Sequence, residues 1–263
     1  MKTVVITGST KGIGYAMAGE FLKRGCQVVV SGRRQEPLDR AVADLSASHD
    51  ADRVAGCLCD ITVPSQIESL WQQSVARFSR IDIWINNAGT GHPQQPIWEL
   101  DDATVRSVVE SNLVGTINCC RVAVPGMLQQ GGGQIYNLEG FGSNGRVRAG
   151  IGVYGATKSA ITFLSKTLVA ELKDTPVQVG TIQPGMVITD LVLDQYKDNP
   201  EQLEKVKPIF NIIANPLDEV APALVEKVLA NDKSGASLEY MSTARLMMRF
   251  ATARFSKRDL FAD

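Results

Sequence analysis

Short runs of β-branched apolar residues alternate with amphipathic helical patterns along almost the whole 263-residue chain. The apolar character of these runs is continuous, which is typical of strands that are buried on both faces of a sheet. A strand that returns to its sheet through a helix makes a right-handed crossover, so the alternation predicts a doubly wound parallel sheet. Seven strands are predicted, at residues 3–6, 27–30, 53–58, 81–85, 134–138, 177–181 and 237–241.

Helical patterns fill the intervals between these runs, with apolar residues recurring at spacings of three and four. No repeat, linker or low-complexity tract interrupts them. The pattern therefore predicts a single Rossmann-type α/β domain over residues 1–263, with helices on both faces of the sheet. The predicted helices cover residues 13–23, 37–46, 67–78, 102–127 and 154–171.

The segment at residues 190–216 breaks this regularity, because it is polar at first and then becomes apolar. Two hypotheses fit the pattern: a lid over a ligand crevice, or a helical insertion on the surface. A lid would give a large substrate a wide apolar mouth. The apolar residues that would form it are Leu191, Leu193, Ile209, Phe210, Ile212 and Ile213.

Composition and charge exclude several functional classes. Hydrophobic residues make up 44% of the chain, and the formal net charge of −1 gives no basic excess for nucleic acid. The five cysteines are not spaced as a disulfide framework, and His49 and His92 are not at metal-ligand spacing, so no metal site is predicted. Cys57 and Cys59 are expected to point to opposite faces of a strand.

The start of the chain shows no targeting segment before the first predicted strand. No apolar run approaches the ~20 residues that would span a bilayer. A reducing cytoplasm is therefore the expected location.

A glycine-rich stretch leads from the first predicted strand into the first helical pattern. Small residues there let the backbone approach a pyrophosphate, and the start of the helix supplies N–H groups and a positive dipole end. The spacing is G-x-x-x-G-x-G rather than the commoner G-x-G-x-x-G. It predicts a dinucleotide site, with a purely structural turn as the alternative. The residues of the stretch are Gly8, Ser9, Thr10, Lys11, Gly12, Ile13 and Gly14.

The end of the second predicted strand indicates which dinucleotide binds. A carboxylate there would accept hydrogen bonds from the adenosine ribose, but this chain has Ser31, Arg33 and Arg34. A guanidinium pairs well with a 2′-phosphate, and Lys11 adds a second positive charge. The sequence therefore favours NADP(H) over NAD(H), with a solvated basic turn as the alternative.

Tyr154 and Lys158 are four residues apart and share one face of a predicted helix. An isolated phenol, with a pKa of about 10, is a poor acid or base at neutral pH. A neighbouring cation stabilises the phenolate and lowers that pKa, which suits general acid–base catalysis. The pair alone is a frequent chance match, so its weight depends on the other motifs.

Taken together, the motifs resemble the classical short-chain dehydrogenase/reductase family in order and spacing, over essentially the whole chain. The resemblance implies an oxidoreductase acting on a small-molecule carbonyl compound. It also implies a homodimer or homotetramer formed through the helices at residues 102–127 and 154–171. Besides the glycine-rich stretch with Thr7, the matching residues are Asp60, Asn86, Asn87, Ala88, Gly89, Asn112, Tyr154, Lys158, Pro184 and Gly185.

The same resemblance implies a role for each matching residue. Tyr154 donates a proton to the carbonyl oxygen during reduction, Lys158 holds the nicotinamide ribose, and Asn112 positions a water in the proton relay. Other residues line the cofactor beside its adenine, along its ribose and at its nicotinamide. In that order they are Asp60 and Ile61, then Asn87, Ala88 and Gly89, then Pro184, Gly185, Val187 and Thr189.

One position departs from the family pattern. The family's catalytic serine follows the fifth strand, but this chain has Gly140 at the strand-aligned position and Phe141 thirteen residues before Tyr154. Ser143 is the nearby hydroxyl that would replace it as the donor that polarises the substrate. The alternatives are a turn serine and a site that works without this hydrogen bond.

The region of this departure, residues 132–146, is similar to the chlorophyll b reductases, which have a comparable Asn-Met-Asp-Gly-Ala-Gly-Ser stretch. Residues 184–191, 210–213 and 240–248 extend the likeness. It implies NADPH-dependent reduction of the C7 formyl group of chlorophyll(ide) b to a hydroxymethyl group. The alternatives are a reductase of another aldehyde or ketone (acyl, sterol or sugar) and a non-catalytic NADP(H)-binding sensor.

The stretch at residues 244–258 mixes methionine, leucine and phenylalanine with arginine and lysine. One interpretation is peripheral contact with a membrane surface where pigment resides. The other is an amphipathic helix that packs on its own domain or on a neighbouring subunit.

Overall fold

The computed structural model, which describes residues 1–197, 200–255 and 258–261, is built on a sheet of seven parallel strands. Two further short strands, β7 and β8, lie outside this sheet. In chain order the strands of the described residues are β1 (Thr3–Ile6), β2 (Gln27–Gly32), β3 (Val54–Leu58), β4 (Ile83–Asn86), β5 (Gly133–Leu138), β6 (Val177–Gln183), β7 (Met186–Val187), β8 (Ala214–Asn215) and β9 (Ser237–Glu239). The sheet order is β3-β2-β1-β4-β5-β6-β9, and β7 pairs separately with β8. The predicted doubly wound parallel sheet is confirmed.

Helices cover both faces of this sheet. They are α1 (Gly12–Lys23), α2 (Gln35–Ser48), α3 (Pro64–Phe78), α4 (Asp102–Val109), α5 (Gly115–Gln129), α6 (Gly152–Glu171), α7 (Asp190–Leu193), α8 (Pro200–Ile213), α9 (Leu217–Ala230) and α10 (Thr243–Thr252). Val4 of β1 packs in a core with α1, α2 and α9, while Val5 packs in a second core with α3 and α5. Neighbouring strand residues thus serve opposite faces, as a sheet between two helical layers requires.

The helix predicted at residues 102–127 is interrupted by a π-helical turn, Glu110–Val114. Asn112 in this turn is fully buried and donates to the carbonyl of Thr90 (2.9 Å) and to the hydroxyl of Thr157 (3.2 Å). Such turns often occur at functional sites. Here the turn ties the loop after β4 to α6. The role of Asn112 in positioning a water stays a prediction.

The expectation that Cys57 and Cys59 face opposite ways is wrong. Both thiols are buried, and both belong to the core that contains α3 and α5. The reason is geometric, because side chains two residues apart in extended backbone point to the same face.

The predicted lid, residues 190–216, consists of α7, a 3₁₀ turn at Asp194–Tyr196, α8 and β8, with residues 198 and 199 outside the described ranges. β8 pairs with β7, which anchors the end of the segment to the chain that follows β6. The segment is therefore a folded unit beside the main sheet. That description agrees with both sequence hypotheses, a lid and a surface insertion.

The prediction that Phe210 lines an apolar mouth is wrong. Phe210 is 1% exposed, and its ring packs edge-on against Tyr196 (centroids 5.9 Å apart) and stacks on Phe261 (6.3 Å). These rings form a small core of the segment itself. Leu191 and Ile209 do remain exposed, at 37% and 45%.

The stretch predicted at residues 244–258 forms α10 and a 3₁₀ turn, with residues 256 and 257 outside the described ranges. Met247, Met248 and Phe250 of α10 are exposed. Within the described ranges, no helix is both long and apolar enough to cross a membrane.

Candidate active site and cofactor site

The glycine-rich turn leaves β1 at the crevice between β1 and β4, where the sheet order reverses and ligands bind in such folds. Gly8 has a φ of +61°, and a Cβ on it would lie 2.8 Å from the Cα of Ala88. Only glycine satisfies both conditions. The side chain of Asn87 donates to the carbonyls of Thr7 (2.8 Å) and Gly8 (2.9 Å). The loop after β4 therefore holds the turn in place.

Ser9 and Ser31, both predicted to contact the cofactor, are fully buried. The Ser9 hydroxyl donates to the carbonyl of Ile6 (2.7 Å) and accepts the backbone N–H of Ser31 (3.0 Å). The Ser31 hydroxyl also donates to Ile6 (3.3 Å). Both side chains thus brace the turn against β1 and β2 from inside, and we assign them support of the site rather than ligand contact.

The basic residues predicted for a 2′-phosphate lie on the surface of the crevice. Arg33 and Arg34 follow β2 and are exposed. Lys11 is also exposed, and its Nζ lies 2.7 Å from the Oδ2 of Asp190 at the start of α7. An exposed ion pair of this kind contributes about 0–1 kcal/mol, so an incoming phosphate can compete for Lys11.

Asp60 and Ile61, predicted beside the adenine, follow β3. Asp60 Oδ1 accepts hydrogen bonds from the backbone N–H (3.0 Å) and the hydroxyl (2.8 Å) of Thr62. Ile61 is buried against Gly115 at the start of α5. The two residues therefore form a firm wall at this end of the crevice.

The other end of the predicted cofactor site lies between β6 and the lid. Pro184 is buried after β6, Gly185 has a φ of +72°, and Val187 lies in β7. Thr189 precedes α7, and its Cγ2 would lie 3.9 Å from a Cβ on Gly12. The base of the lid thus reaches the glycine-rich turn. Three further predicted residues belong to the glycine-rich stretch: Thr10 is half-buried in the turn, and Ile13 and Gly14 lie in α1. Gly89 lies in the loop after β4.

Tyr154 and Lys158 lie one turn apart on α6, as predicted. Lys158 is 5% exposed, its Nζ donates to the carbonyl of Leu138 (2.9 Å), and that Nζ lies 5.8 Å from the centre of the Tyr154 ring. Burial raises the pKa of Tyr154 to about 12 and lowers the pKa of Lys158 to about 8. The expectation that the cation lowers the pKa of Tyr154 is therefore wrong here, because burial dominates. Both groups are therefore protonated at neutral pH.

Gly140 lies directly against the hydroxyl oxygen of Tyr154. A Cβ at Gly140 would be 2.4 Å from the Tyr154 hydroxyl oxygen and 3.3 Å from Cε of Lys158. A serine side chain does not fit here unless Tyr154 moves. The Tyr154 hydroxyl thus occupies the space that the side chain of the family serine would need.

Ser143 does not present its donor to a substrate. Its hydroxyl accepts the backbone N–H of Gly140 (3.2 Å) and donates to the carbonyl of Lys158 (3.2 Å). This arrangement fits the turn-serine alternative, because the single donor that carbonyl polarisation would need is already used. Ser143 therefore has no part in the mechanism proposed below.

Two buried polar residues next to the pair were not predicted. His92 accepts the backbone N–H of Tyr154 at Nε2 (3.3 Å), and its Nδ1 lies 2.7 Å from the carbonyl oxygen of Pro93. Glu139 directly follows β5 and is 4% exposed. Both follow the carboxyl ends of central parallel strands, where functional residues of such folds concentrate, and that position was the available signal.

A hydrogen-bonded cluster ties the predicted lid to the loops after β4 and β5. The Tyr196 hydroxyl of the lid accepts hydrogen bonds from Gln94 after β4 (2.7 Å) and from Arg148 after β5 (3.0 Å). Arg148 also donates to Gln94 (2.9 Å). We call these three residues the Tyr196 cluster.

Comparison with known proteins identifies the family to which this chain belongs. Residues 2–200 match the family model described as short chain dehydrogenase. The chain belongs to the short-chain dehydrogenase family. This short-chain dehydrogenase is accordingly an oxidoreductase that uses a nicotinamide cofactor, which confirms the family and the enzyme class predicted from sequence.

Two relatives of this short-chain dehydrogenase are plant chlorophyll(ide) b reductases named NOL, chloroplastic. The protein of Oryza sativa subsp. japonica is 39% identical over 232 residues, which is 86% of this chain and 66% of that protein. The protein of Arabidopsis thaliana is 40% identical over 238 residues, which is 89% of this chain and 67% of that protein. The chain spans about two thirds of each relative's length. The word chloroplastic in both names gives the predicted cytoplasmic location no support.

A solved structure supports the fold of this short-chain dehydrogenase. The closed form of serine dehydrogenase complexed with NADP+ has a TM-score of 0.81 and 27% identity, covering 92% of this chain and 95% of that one. The fold assignment therefore extends beyond the matched residues 2–200 to most of the chain.

Proposed function

We propose that this short-chain dehydrogenase reduces the C7 formyl group of chlorophyll b or chlorophyllide b to a hydroxymethyl group, with NADPH as the reductant. The observation that carries the proposal is the 39–40% identity to two chlorophyll(ide) b reductases over 86–89% of the chain. The geometry around Tyr154, which lacks the usual serine but keeps the proton donor, is compatible with that reaction.

The proposed mechanism assigns the acid–base chemistry to α6. NADPH, when bound, supplies a hydride to the formyl carbon. The protonated Tyr154 hydroxyl donates its proton to the carbonyl oxygen as negative charge develops there. Lys158, still charged below pH ~8, stabilises the phenolate that remains. Holding both reactants in place removes several kcal/mol of the barrier, at most about 7–11.

The residues of the crevice fit NADP(H). Gly8 lets the turn lie tightly against Ala88, and the turn runs into the start of α1, which presents N–H groups. Arg33, Arg34 and Lys11 supply positive charge near the end of β2 and the turn. This donor set suits a dinucleotide that carries an additional phosphate.

Removing both guanidiniums, in Arg33→Ala/Arg34→Ala, is expected to weaken NADPH binding by roughly 10–100-fold while NADH binding changes little. The reason is that charge-assisted hydrogen bonds to a phosphate are worth about 1.5–3 kcal/mol. Titration of nucleotide fluorescence measures both constants. Arg40→Ala is the matched control, since Arg40 is an exposed arginine of α2 that pairs with Glu36. An equal loss of NADPH and NADH affinity would contradict the assignment.

Exposed apolar side chains flank the start of α6, which carries Tyr154. Phe141 and Val147 in the loop after β5 are 40% and 94% exposed, and Ile97 and Trp98 after β4 are 59% and 81% exposed. Ile97 lies against the start of α6, because a Cβ on Gly152, the first residue of α6, would lie 3.8 Å from it. These exposed apolar side chains support the proposal of a large, flat, apolar substrate.

The proposal is tested by mixing the purified protein with NADPH and chlorophyll b, then separating the pigments by chromatography. We expect 7-hydroxymethyl chlorophyll a to appear together with NADPH oxidation. Tight NADPH binding without pigment product would remove the pigment assignment. Turnover with a panel of other aldehydes and ketones would then indicate another carbonyl reductase, and no turnover at all would indicate the non-catalytic sensor.

We also propose that the protein forms a homodimer or homotetramer and contacts a membrane peripherally. Phe163 on α6 (74% exposed) and Val114 in the π-helical turn (40%) support self-association through the predicted helices. Met247 and Met248 on α10 support the membrane contact. A monomeric mass by light scattering, or no sedimentation with anionic liposomes, would remove the respective proposal.

A further inference from the structure

A carboxylate is enclosed behind the Tyr154/Lys158 pair. Glu139 extends the ladder beyond β5, since its backbone N–H donates to the carbonyl of Ile182 (2.9 Å). Its side chain is held by two donors: the Thr162 hydroxyl of α6 bonds Oε1 (2.8 Å), and the Gln183 side-chain amide of β6 bonds Oε2. A carboxylate fixed in this way, at 4% exposure, is costly unless an opposite charge lies close by.

Lys158 lies one turn of α6 before Thr162, which brings its ammonium near Glu139, although the two side chains form no direct ion pair. Its Nζ is bonded to the carbonyl of Leu138, the residue directly before Glu139. Among the described residues, Glu139 is the one charge whose field raises the pKa of Lys158, against the burial that lowers it. Two other groups lie near Lys158: the ring of Tyr154 on the same helix, and Gly89 after β4, which also lies against the side chain of Asn112. Of these, only Tyr154 ionises.

We infer that Glu139 is a positioning residue, which keeps Lys158 protonated so that the ammonium can stabilise the phenolate left when Tyr154 donates its proton. Thr162 and Gln183 fix the carboxylate between α6 and β6, so that it acts on Lys158 without reaching the substrate. The inference rests on the proposed roles of Tyr154 and Lys158 but not on the identity of the substrate.

The test uses Glu139→Gln in the full chain, because glutamine keeps the shape and can still bond Thr162 and Gln183. The titration of Lys158 is followed by NMR of its Cε, assigned with Lys158→Met. Removing the negative charge removes what favours the ammonium form, so we expect the midpoint to move from near pH 8 to lower pH by about one unit. The pH above which the reduction rate falls should move in the same direction.

Matched variants separate charge from structure. Thr162→Val deletes the hydroxyl bond to Glu139 but keeps the charge, so it should lower stability while leaving the Lys158 midpoint nearly in place. Glu139→Asp keeps the charge and should restore most of the midpoint. A Lys158 midpoint that is the same in Glu139→Gln and the wild type would overturn the inference.

A reciprocal variant covers the case in which Glu139→Gln does not fold. In Lys158→Met the buried carboxylate loses the positive charge near it, so adding Glu139→Gln to that variant should raise its melting temperature. Thermal unfolding measures the difference, and no gain in Tm would contradict the pairing. If these shifts occur but no pigment is reduced, only the substrate assignment fails.

Discussion

Replacing Tyr154 with phenylalanine is expected to lower the rate of carbonyl reduction by about 10²–10⁴-fold, the usual contribution of a positioned general acid. The substitution keeps the ring that packs on α6 and removes only the hydroxyl, which lies beside Gly140. NADPH affinity should change little, because Lys158 and the glycine-rich turn are intact. Single-turnover kinetics at saturating NADPH, together with nucleotide titration, measure the two quantities separately.

Tyr136→Phe is the control for this experiment. Tyr136 is another buried tyrosine, on β5, and its hydroxyl accepts a hydrogen bond from Asn231 (2.9 Å). Its loss should affect stability but not the chemical step. If Tyr154→Phe retained wild-type turnover, the proton would have to come from another group and the proposed mechanism would fall.

Gly140→Ala should cost about 100-fold in the rate of reduction although it adds a single methyl group. The added Cβ would lie 2.4 Å from the Tyr154 hydroxyl oxygen, so the tyrosine has to shift. A displacement of about 1 Å at a reacting group costs roughly 10² in rate. Reduction assays at saturating NADPH, with a thermal unfolding curve for each variant, distinguish this local effect from general destabilisation.

Gly155→Ala is the matched control, since it lies next to Tyr154 on α6 and a Cβ there meets its nearest neighbour at 3.9 Å. It should retain activity. Gly140→Ser tests the same point from the opposite side, because it reinstates the residue usual in the family. If Gly140→Ser were more active than the wild type, the close approach of Tyr154 would not be the reason for glycine at this position.

Much of the fold follows from the sequence, because the sheet strands are short, apolar runs bounded by turn residues. β1 is found at the predicted residues Thr3–Ile6, and the other six sheet strands differ from prediction by two residues or fewer at each end. The glycine-rich turn and the Tyr154/Lys158 spacing are local features, and local spacing is visible in a sequence. They located the two halves of the candidate site.

The rest depends on contacts between distant segments. The raised pKa of Tyr154 results from burial by the surrounding fold, and no spacing along α6 reports that burial. The hydroxyl of Ser143 is consumed by the backbone of α6, and Phe210 is covered by Tyr196 and Phe261. Glu139 was missed because its partners Thr162 and Gln183 are 23 and 44 residues away. The π-helical turn likewise reflects bonds that Asn112 makes to other segments.

The Tyr196 cluster has a mechanical consequence. Tyr196, Gln94 and Arg148 come from three separate segments and share their hydrogen bonds. Displacing residues 190–216 alone would break bonds to both of the other segments. We therefore expect the three segments to shift together, so that a substitution in one of them changes the position of the other two.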